Sequence, residues 1–233
     1  LQKEVWNFTD AELMPLRMFV VAEKIGGQVI GAFDRGTLVA FALSMPGARG
    51  GHSYLHSQML AVRSEYRNAG LGRQIKLFQR EDALARGFEL LEWTFDPLEI
   101  KNAYLNIERL GAIARRYNVN QYGMTTSPLQ GGLPSDRLVA EWWLKSKRVE
   151  RLLRSEPGPR FDLSKTISVP KQIYEWKASS GTRNRAQEVQ DHNRRDFLEA
   201  FSQGLAVLQY ERDQQGNGKF LLGRWDENWQ YSF

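Results

Sequence analysis

Between residues 53 and 95 the spacing of apolar side chains changes period twice, and this double switch limits what the chain can fold into more than any other feature of its sequence. Residues 53–62 read as an extended strand. Leu71, Ile75, Phe78 and Ala85 then recur at helical spacing, with Leu77 and Leu84 widening the stripe, and Gly87 stands where a left-handed C-cap would stop a helix. The pattern predicts a helix from about Gly70 to Arg86. Leu90-Leu91-Glu92-Trp93-Thr94-Phe95 returns to strand character, and Asp96-Pro97 breaks it. Arg67-Asn68-Ala69-Gly70-Leu71-Gly72 therefore joins a strand to a helix that leads into a second strand.

The flanking sequence extends this frame. Thr9-Asp10-Ala11-Glu12-Leu13 carries the signature of a helix start, and residues 28–33 and 37–43 form a hairpin pattern around Asp34-Arg35-Gly36. Pro46, Gly47, Gly50 and Gly51 predict a loop before the strand at 53. A second helix is expected to run toward Gly111, with strands near 113–119 and 136–144 separated by a Gly/Pro/Ser-rich loop at 127–135. After Lys145 come a charged helix, a Pro157-Gly158-Pro159 break, a short run ending at Val169-Pro170, a helix over 184–201, and strands at 205–211 and 220–224 around a turn at 213–218. The expected class is α/β (α+β), a mixed, mostly antiparallel central sheet flanked by helices. Residues 1–145 are expected to form the main domain, and 146–233 an αββ-like extension packed on it. No internal repeat is present.

With 233 residues, 42% hydrophobic and 25% charged, the chain can bury one full core. No run approaches the roughly 18 apolar residues of a membrane span, and the opening Leu1-Gln2-Lys3-Glu4-Val5-Trp6 has no apolar block of the secretory kind, so a cytoplasmic location and no membrane partner are expected. The absence of cysteine excludes disulfides, thiolate zinc sites and a cysteine nucleophile. Only His52, His56 and His192 remain as imidazole ligands, and metal-free chemistry is expected. A formal charge of +5 raises the question of an anionic partner. The basic residues concentrate at Lys145, Lys147, Arg148, Arg151 and Arg154 and again at Arg183, Arg185, Arg194 and Arg195. Acids stand among them, base-stacking aromatics do not, and both stretches read as solvated helix faces rather than a nucleic-acid surface.

The glycine loop carries the chemistry. Backbone N–H groups at a helix start have no intrahelical acceptor and point into positive potential, which suits phosphate oxygens. Glycines allow close approach and positive φ, and Arg67 and Arg73 add charge-assisted donors. A plain tight turn is the bland reading of Gly-x-Gly alone. The Walker pattern needs Gly-Lys-Ser/Thr where Arg73-Gln74 stands, and the dinucleotide fingerprint needs glycine where Ile75 stands.

Leu60-Ala61-Val62-Arg63-Ser64-Glu65-Tyr66-Arg67-Asn68-Ala69-Gly70-Leu71-Gly72 resembles the acyl-CoA motif of the GCN5-related N-acetyltransferase (GNAT) superfamily, and Asn102-Ala103-Tyr104-Leu105-Asn106-Ile107-Glu108-Arg109-Leu110-Gly111-Ala112 resembles the superfamily's next helix. The resemblance spans about residues 1–145 and is strongest over 53–112. Trp93 to Leu98 together with Leu133 to Arg137 is similar to a subgroup of predicted acetyltransferases without an assigned substrate. The resemblance implies a GNAT-like acyl-CoA N-acyltransferase fold in which Leu60 and Val62 offer backbone groups to pantetheine. Arg67, Asn68, Ala69, Gly70, Leu71, Gly72 and Arg73 would hold the diphosphate, and Asn102 or Asn106 would approach the arm. It implies acetyl-CoA or another acyl-CoA as donor, direct attack of an amine in a ternary complex, and a homodimer as a common assembly.

An amine needs a base, and the leaving thiolate gains from a proton donor. His56 is the candidate base, with a buried, backbone-bonded histidine as the alternative. Glu92 is a second, with an arginine pair as its alternative. The superfamily's tyrosine position holds Ile107, so Tyr104, one turn earlier, is the candidate donor or a core ring. Asp136 and Arg137 would bind the ammonium and carboxylate of an amino-acid-like substrate, or else form a structural pair. The expected function is N-acyl transfer to a primary amine of a small molecule, acetyl by default and succinyl or another acyl group left open. The alternatives are protein N-acetylation and acyl-CoA binding without turnover.

Overall fold

The computed structural model describes residues 1–123, 127 and 130–225, which fall into two compact units, residues 1–93 and 94–225.

The first unit contains α1 (Gln2–Trp6), a 3-10 turn (Asp10–Glu12), α2 (Leu16–Lys24), β1 (Gln28–Asp34), β2 (Thr37–Arg49), β3 (His52–Val62), α3 (Leu71–Ala85) and the beginning of β4 (Leu90–Phe95). The strands lie in the order β1-β2-β3-β4. The first two pairings are antiparallel and β3–β4 is parallel. Arg35 and Gly36 both take positive φ, 47° and 79°, as the hairpin between β1 and β2 requires. At the N-terminus, Thr9 and Glu12 form a reciprocal capping box, but Pro15 separates that turn from α2, so the expected helix start opens only a single turn.

β2 is longer than its apolar run. It continues through Pro46 and Gly47 to Arg49 and turns at Gly50-Gly51 directly into β3, where a loop is expected. The pairing explains this. β1 begins at Gln28, opposite Ser44, so beyond that point β2 bonds to β3 alone, and Pro46 lacks an N–H that has no strand waiting for it on that side. Between Leu43↔Met59 and Ser44↔Ser57 the register skips Gln58, a bulge that turns Ser57 toward α3.

One face of this sheet packs Phe41, Leu43, Met59 and Ala61 against Ala22, with Trp6, Phe8 and Phe19 around them. The other packs Ala40, Ala42 and Val62 against Ile75 of α3. The buried side of α3 is Ile75, Lys76, Gln79 and Ala83, whereas Phe78, expected inside, is 56% exposed. The reason is polar. Gln79 donates to Ser44 Oγ at 2.7 Å, Ser57 Oγ lies 3.3 Å from Gln79 Oε1, and Ser44 donates to Gln28, whose amide donates to the Gln79 carbonyl at 2.8 Å. A satisfied network of this kind fixes the helix rotation that an apolar stripe alone leaves loose.

The second unit holds the end of β4, α4 (Ile100–Tyr104), a π-helical turn (Leu105–Arg109), β5 (Ile113–Asn118), β6 (Arg137–Trp143), α5 (Lys147–Leu153), β7 (Leu163–Val169), α6 (Ile173–Ala178), α7 (Arg183–Ser202), β8 (Leu205–Arg212) and β9 (Gly218–Arg224). Its strands follow the order β6-β5-β8-β9-β7, with antiparallel pairings. The C-terminal segment thus adds its own strands to β5, through Ala114↔Val207, and the short run ending at Val169 is a strand, β7. Both units together give a mixed α/β protein whose strand pairings are mostly antiparallel. No helix among the described residues is long and apolar enough to cross a membrane.

The basic stretches are not uniformly solvated. Arg148 is buried and donates to the carbonyls of Ile107 (2.7 Å) and Gly111 (3.2 Å), and Arg194 pairs with Asp136.

Candidate functional site

The glycine loop has the backbone that its sequence predicts. After Val62 the chain makes a 3-10 turn, Ser64–Tyr66, and Tyr66 donates its hydroxyl to Asp34 at 2.7 Å, a bond that raises the phenol's pKa. Arg67 Nε donates to the Val62 carbonyl at 3.0 Å, pinning the loop to the strand end. Asn68 and Gly70 adopt positive φ, 62° and 84°, and Gly70 is the N-cap of α3. With no side chain at that cap, and the first helical bond running from Gln74 N–H to the Gly70 carbonyl, the N–H groups of Leu71, Gly72 and Arg73 have no acceptor in the helix.

The space before these groups is open. A Cβ on Gly70 would meet nothing within 4 Å, and one on Gly72 only Leu60 at 3.8 Å and Val62 at 3.9 Å. Arg73 Nε is buried with no hydrogen-bond partner, an orphan donor at the same helix start. A 15-residue helix stands behind these groups and orients its dipole toward them. The donors and the room fit an anionic, phosphate-bearing group.

Next to the loop, β3 and β4 are in register only at Leu55↔Leu91 and His56↔Glu92. From Ser57 to Val62 the β4-side edge of β3 has no register partner within the first unit. Leu60 and Val62 stand on that stretch, and Leu60 keeps its pairing with Ala42 on the other side.

On the sheet face opposite α3, the structure brings together two of the predicted residues and adds two that the sequence did not suggest. His56, partly buried, is in register with Glu92. Glu92 is buried, and both its oxygens accept from Arg49, Oε1 at 2.6 Å and Oε2 at 3.1 Å. Arg49 also donates to the Tyr54 hydroxyl at 3.2 Å and lies 4.7 Å above its ring. The arginine pair weighed for Glu92 is therefore present. Arg49 reaches it only because β2 runs past Pro46. Tyr54 in turn packs on Gly47, where any Cβ would strike its ring at 2.6 Å.

On the α3 face of the next rung lies a residue that sequence reasoning missed. Lys76 is 5% exposed, its Nζ donates to Ser57 Oγ at 2.9 Å, and it sits 3.7 Å from the centroid of the Trp93 ring. Burial pushes its ammonium down to about 7. It has no ion-pair partner among the described residues. The available signal was a lone lysine beside Ile75 and Gln79 on the inner stripe.

The remaining predicted residues belong to the second unit. Asn102 is exposed. Tyr104 is partly buried with the Arg212 guanidinium 5.7 Å from its ring. Asn106 is buried in the π-helical turn, and its Nδ2 has no partner. π-turns recur at functional positions. Ile107 is fully buried. Asp136 is fully buried and takes Tyr117 Oη (2.7 Å), Asn120 N–H (2.9 Å) and Arg194 Nε (2.7 Å). It forms a structural pair, with Arg194 rather than with its neighbour. Burial first, then the bond to Asp136, pushes the Tyr117 phenol far up. Arg137 donates to the Asp136 carbonyl (2.8 Å) and to Gln130 (3.1 Å), over the ring of Tyr122.

No protein-family model matches the sequence, and no curated protein does. The chain is similar in structure to the ribosomal-protein-S18-alanine N-acetyltransferase from Escherichia coli, at 17% identity and a TM-score of 0.48 over 61% of this chain and 84% of that one. It is similar to a GNAT family acetyltransferase from Elizabethkingia anophelis with acetyl-CoA bound, at 13% identity and a TM-score of 0.49 over 61% of this chain and 90% of that one. An N-acetyltransferase from Staphylococcus aureus Mu50 shows 15% identity and a TM-score of 0.46 over 56% and 75% of the two chains.

Proposed function

We propose that this chain is an acyl-CoA-dependent N-acyltransferase, moving an acyl group, acetyl by default, to a primary amine of a small molecule such as an amino acid. The observation that carries the reading is the start of α3: uncapped N–H groups behind a positive-φ glycine, with the orphan Arg73 donor beside them and open space in front. That arrangement suits a diphosphate. When bound, the coenzyme supplies an activated thioester. Arg67 and Arg73 neutralise its phosphates, and the β4-side edge of β3 from Ser57 to Val62 receives the polar groups of the arm. His56, two residues before the bulged Gln58, takes the proton of the attacking amine, while Arg49 holds Glu92 in place across the same rung.

Isothermal titration with coenzyme A tests the loop, and thiol release from acetyl-, propionyl- and succinyl-CoA across amino acids and polyamines tests the transfer. Gly70→Val, which cannot hold the 84° φ without strain, is expected to abolish coenzyme A affinity. Unchanged affinity in that variant would refute the assignment. A second reading, binding without turnover, is supported by Ile107 in the tyrosine position and by a Glu92 carboxylate already engaged by Arg49. Titratable binding with no thiol release across the whole amine panel would favour it.

A further inference from the structure

We propose that Lys76 is a self-acylation site, accepting the acyl group of a bound acyl-CoA when no amine substrate is present. The proposal rests on the acyl-CoA reading of the 67–73 loop and adds a second acceptor to it.

Length supports the placement. From Val62, at the loop, back to Ser57 is five residues of β3, about 16 Å at roughly 3.3 Å per residue. The arm of coenzyme A from its inner phosphorus to sulfur is about thirteen bonds, roughly 16 Å when extended at about 1.2 Å per bond. An arm anchored at the start of α3 and laid along the open edge of β3 therefore brings its thioester to the rung of Ser57. That rung is where the β3–β4 pairing has just ended and where Lys76 Nζ lies, bonded to Ser57 of β3 and resting on Trp93 of β4.

The nitrogen there has an available lone pair. Its hydrogen-bond acceptor is Ser57 of β3, and the side chains that Ser57 joins in turn, Gln79 of α3, Ser44 of β2 and Gln28 of β1, are all neutral. Asp82 of α3 is bound to Gln28 and Arg86. His56 and Glu92 project from the opposite face, one residue before Ser57 and Trp93 on their strands. With no carboxylate to hold its proton, the amine is neutral over much of the pH range above 7. In the step, the amine nitrogen attacks the thioester carbonyl carbon, the C–S bond breaks, and the sulfur leaves with the proton that the nitrogen loses. The products are an amide on Lys76 and one free coenzyme A thiol per chain.

The full chain is incubated with acetyl-CoA and no amine, and the adduct is located by intact mass and peptide mapping. Coenzyme A binding is measured by calorimetry on the same sample. The expected result is one acetyl mass on Lys76, stoichiometric thiol release, a rate that rises through pH 7 and levels off above it, and loss of the adduct in both Lys76→Arg and Gly70→Val. Lys76→Arg is expected to retain coenzyme A binding. Binding without an adduct on Lys76, or acetyl spread over exposed lysines and equally produced by acetyl phosphate, overturns self-acylation and leaves the loop reading standing. Absence of binding overturns both.

Discussion

Replacing Lys76 with methionine removes one buried nitrogen from beneath α3 and keeps the length of the side chain. Ser57 Oγ still has the Gln79 amide at 3.2 Å, so the change orphans little. The unfolded chain holds the lysine proton up to about pH 10.5, while the folded chain releases it near 7. Between those values the unfolded state binds more protons, so parent stability rises with pH across that window. Below about 7 both states are protonated and the full cost of burying the ammonium is present. At about 1.4 kcal/mol per pH unit that cost has a ceiling of roughly 5 kcal/mol, and the Trp93 contact offsets about 1–2 kcal/mol of it. Lys76→Met is therefore expected to be more stable than the parent by about 3 kcal/mol at pH 7, with the advantage shrinking toward zero by pH 10.5. Urea unfolding followed by tryptophan fluorescence at several pH values from 6.5 to 10 reads the difference directly, and other titrations cancel between the two proteins. A difference that stays flat with pH, or a methionine variant that is the weaker one at pH 7, refutes a depressed ammonium at this position.

Lys177 offers the opposite case. Burial works against its charge, but Asp96 at 3.0 Å and Glu99 at 2.9 Å outweigh it and raise its pKa. Lys177→Ala leaves two carboxylates facing a buried gap, and chemical denaturation is expected to show a loss of about 3 kcal/mol or more. Arg194→Leu strips the buried Asp136 of its cation, so its denaturation midpoint is expected to fall by an amount equivalent to about 2–3 kcal/mol, with coenzyme A titration unaltered. His56→Ala is expected to lower the rate of thiol release by roughly 100-fold or more while calorimetric coenzyme A affinity changes little. Equal losses in both would make the imidazole structural.

Local chemistry made much of this fold readable. Arg35-Gly36 declares the hairpin, Gly87 (φ 82°) stops α3 where a left-handed residue was expected, and the Gly70 cap follows from its place between two periodicities. The features that local sequence does not encode depend on partners distant in sequence. β2 passes through Pro46 because β3 pairs with it there and β1 does not. Asp136 finds Arg194, 58 positions away, in preference to adjacent Arg137. The inner stripe of α3 carries Lys76 and Gln79 because Ser44, Ser57 and Gln28 meet it, and no periodicity of apolar residues records hydroxyls on other strands. The Arg49–Glu92 pair joins residues 43 apart for the same reason.

The seam between Ala114 and Val207 has a bearing on how this polypeptide is made. β5 emerges some ninety residues before its outer neighbour, and until that strand arrives one row of its amides is a template for stray strands. A fragment cut at residue 145 would keep that row bare permanently. It is expected to aggregate rather than behave as a smaller working protein, and the appended strands are better regarded as a late-closing side of the second unit than as a removable accessory.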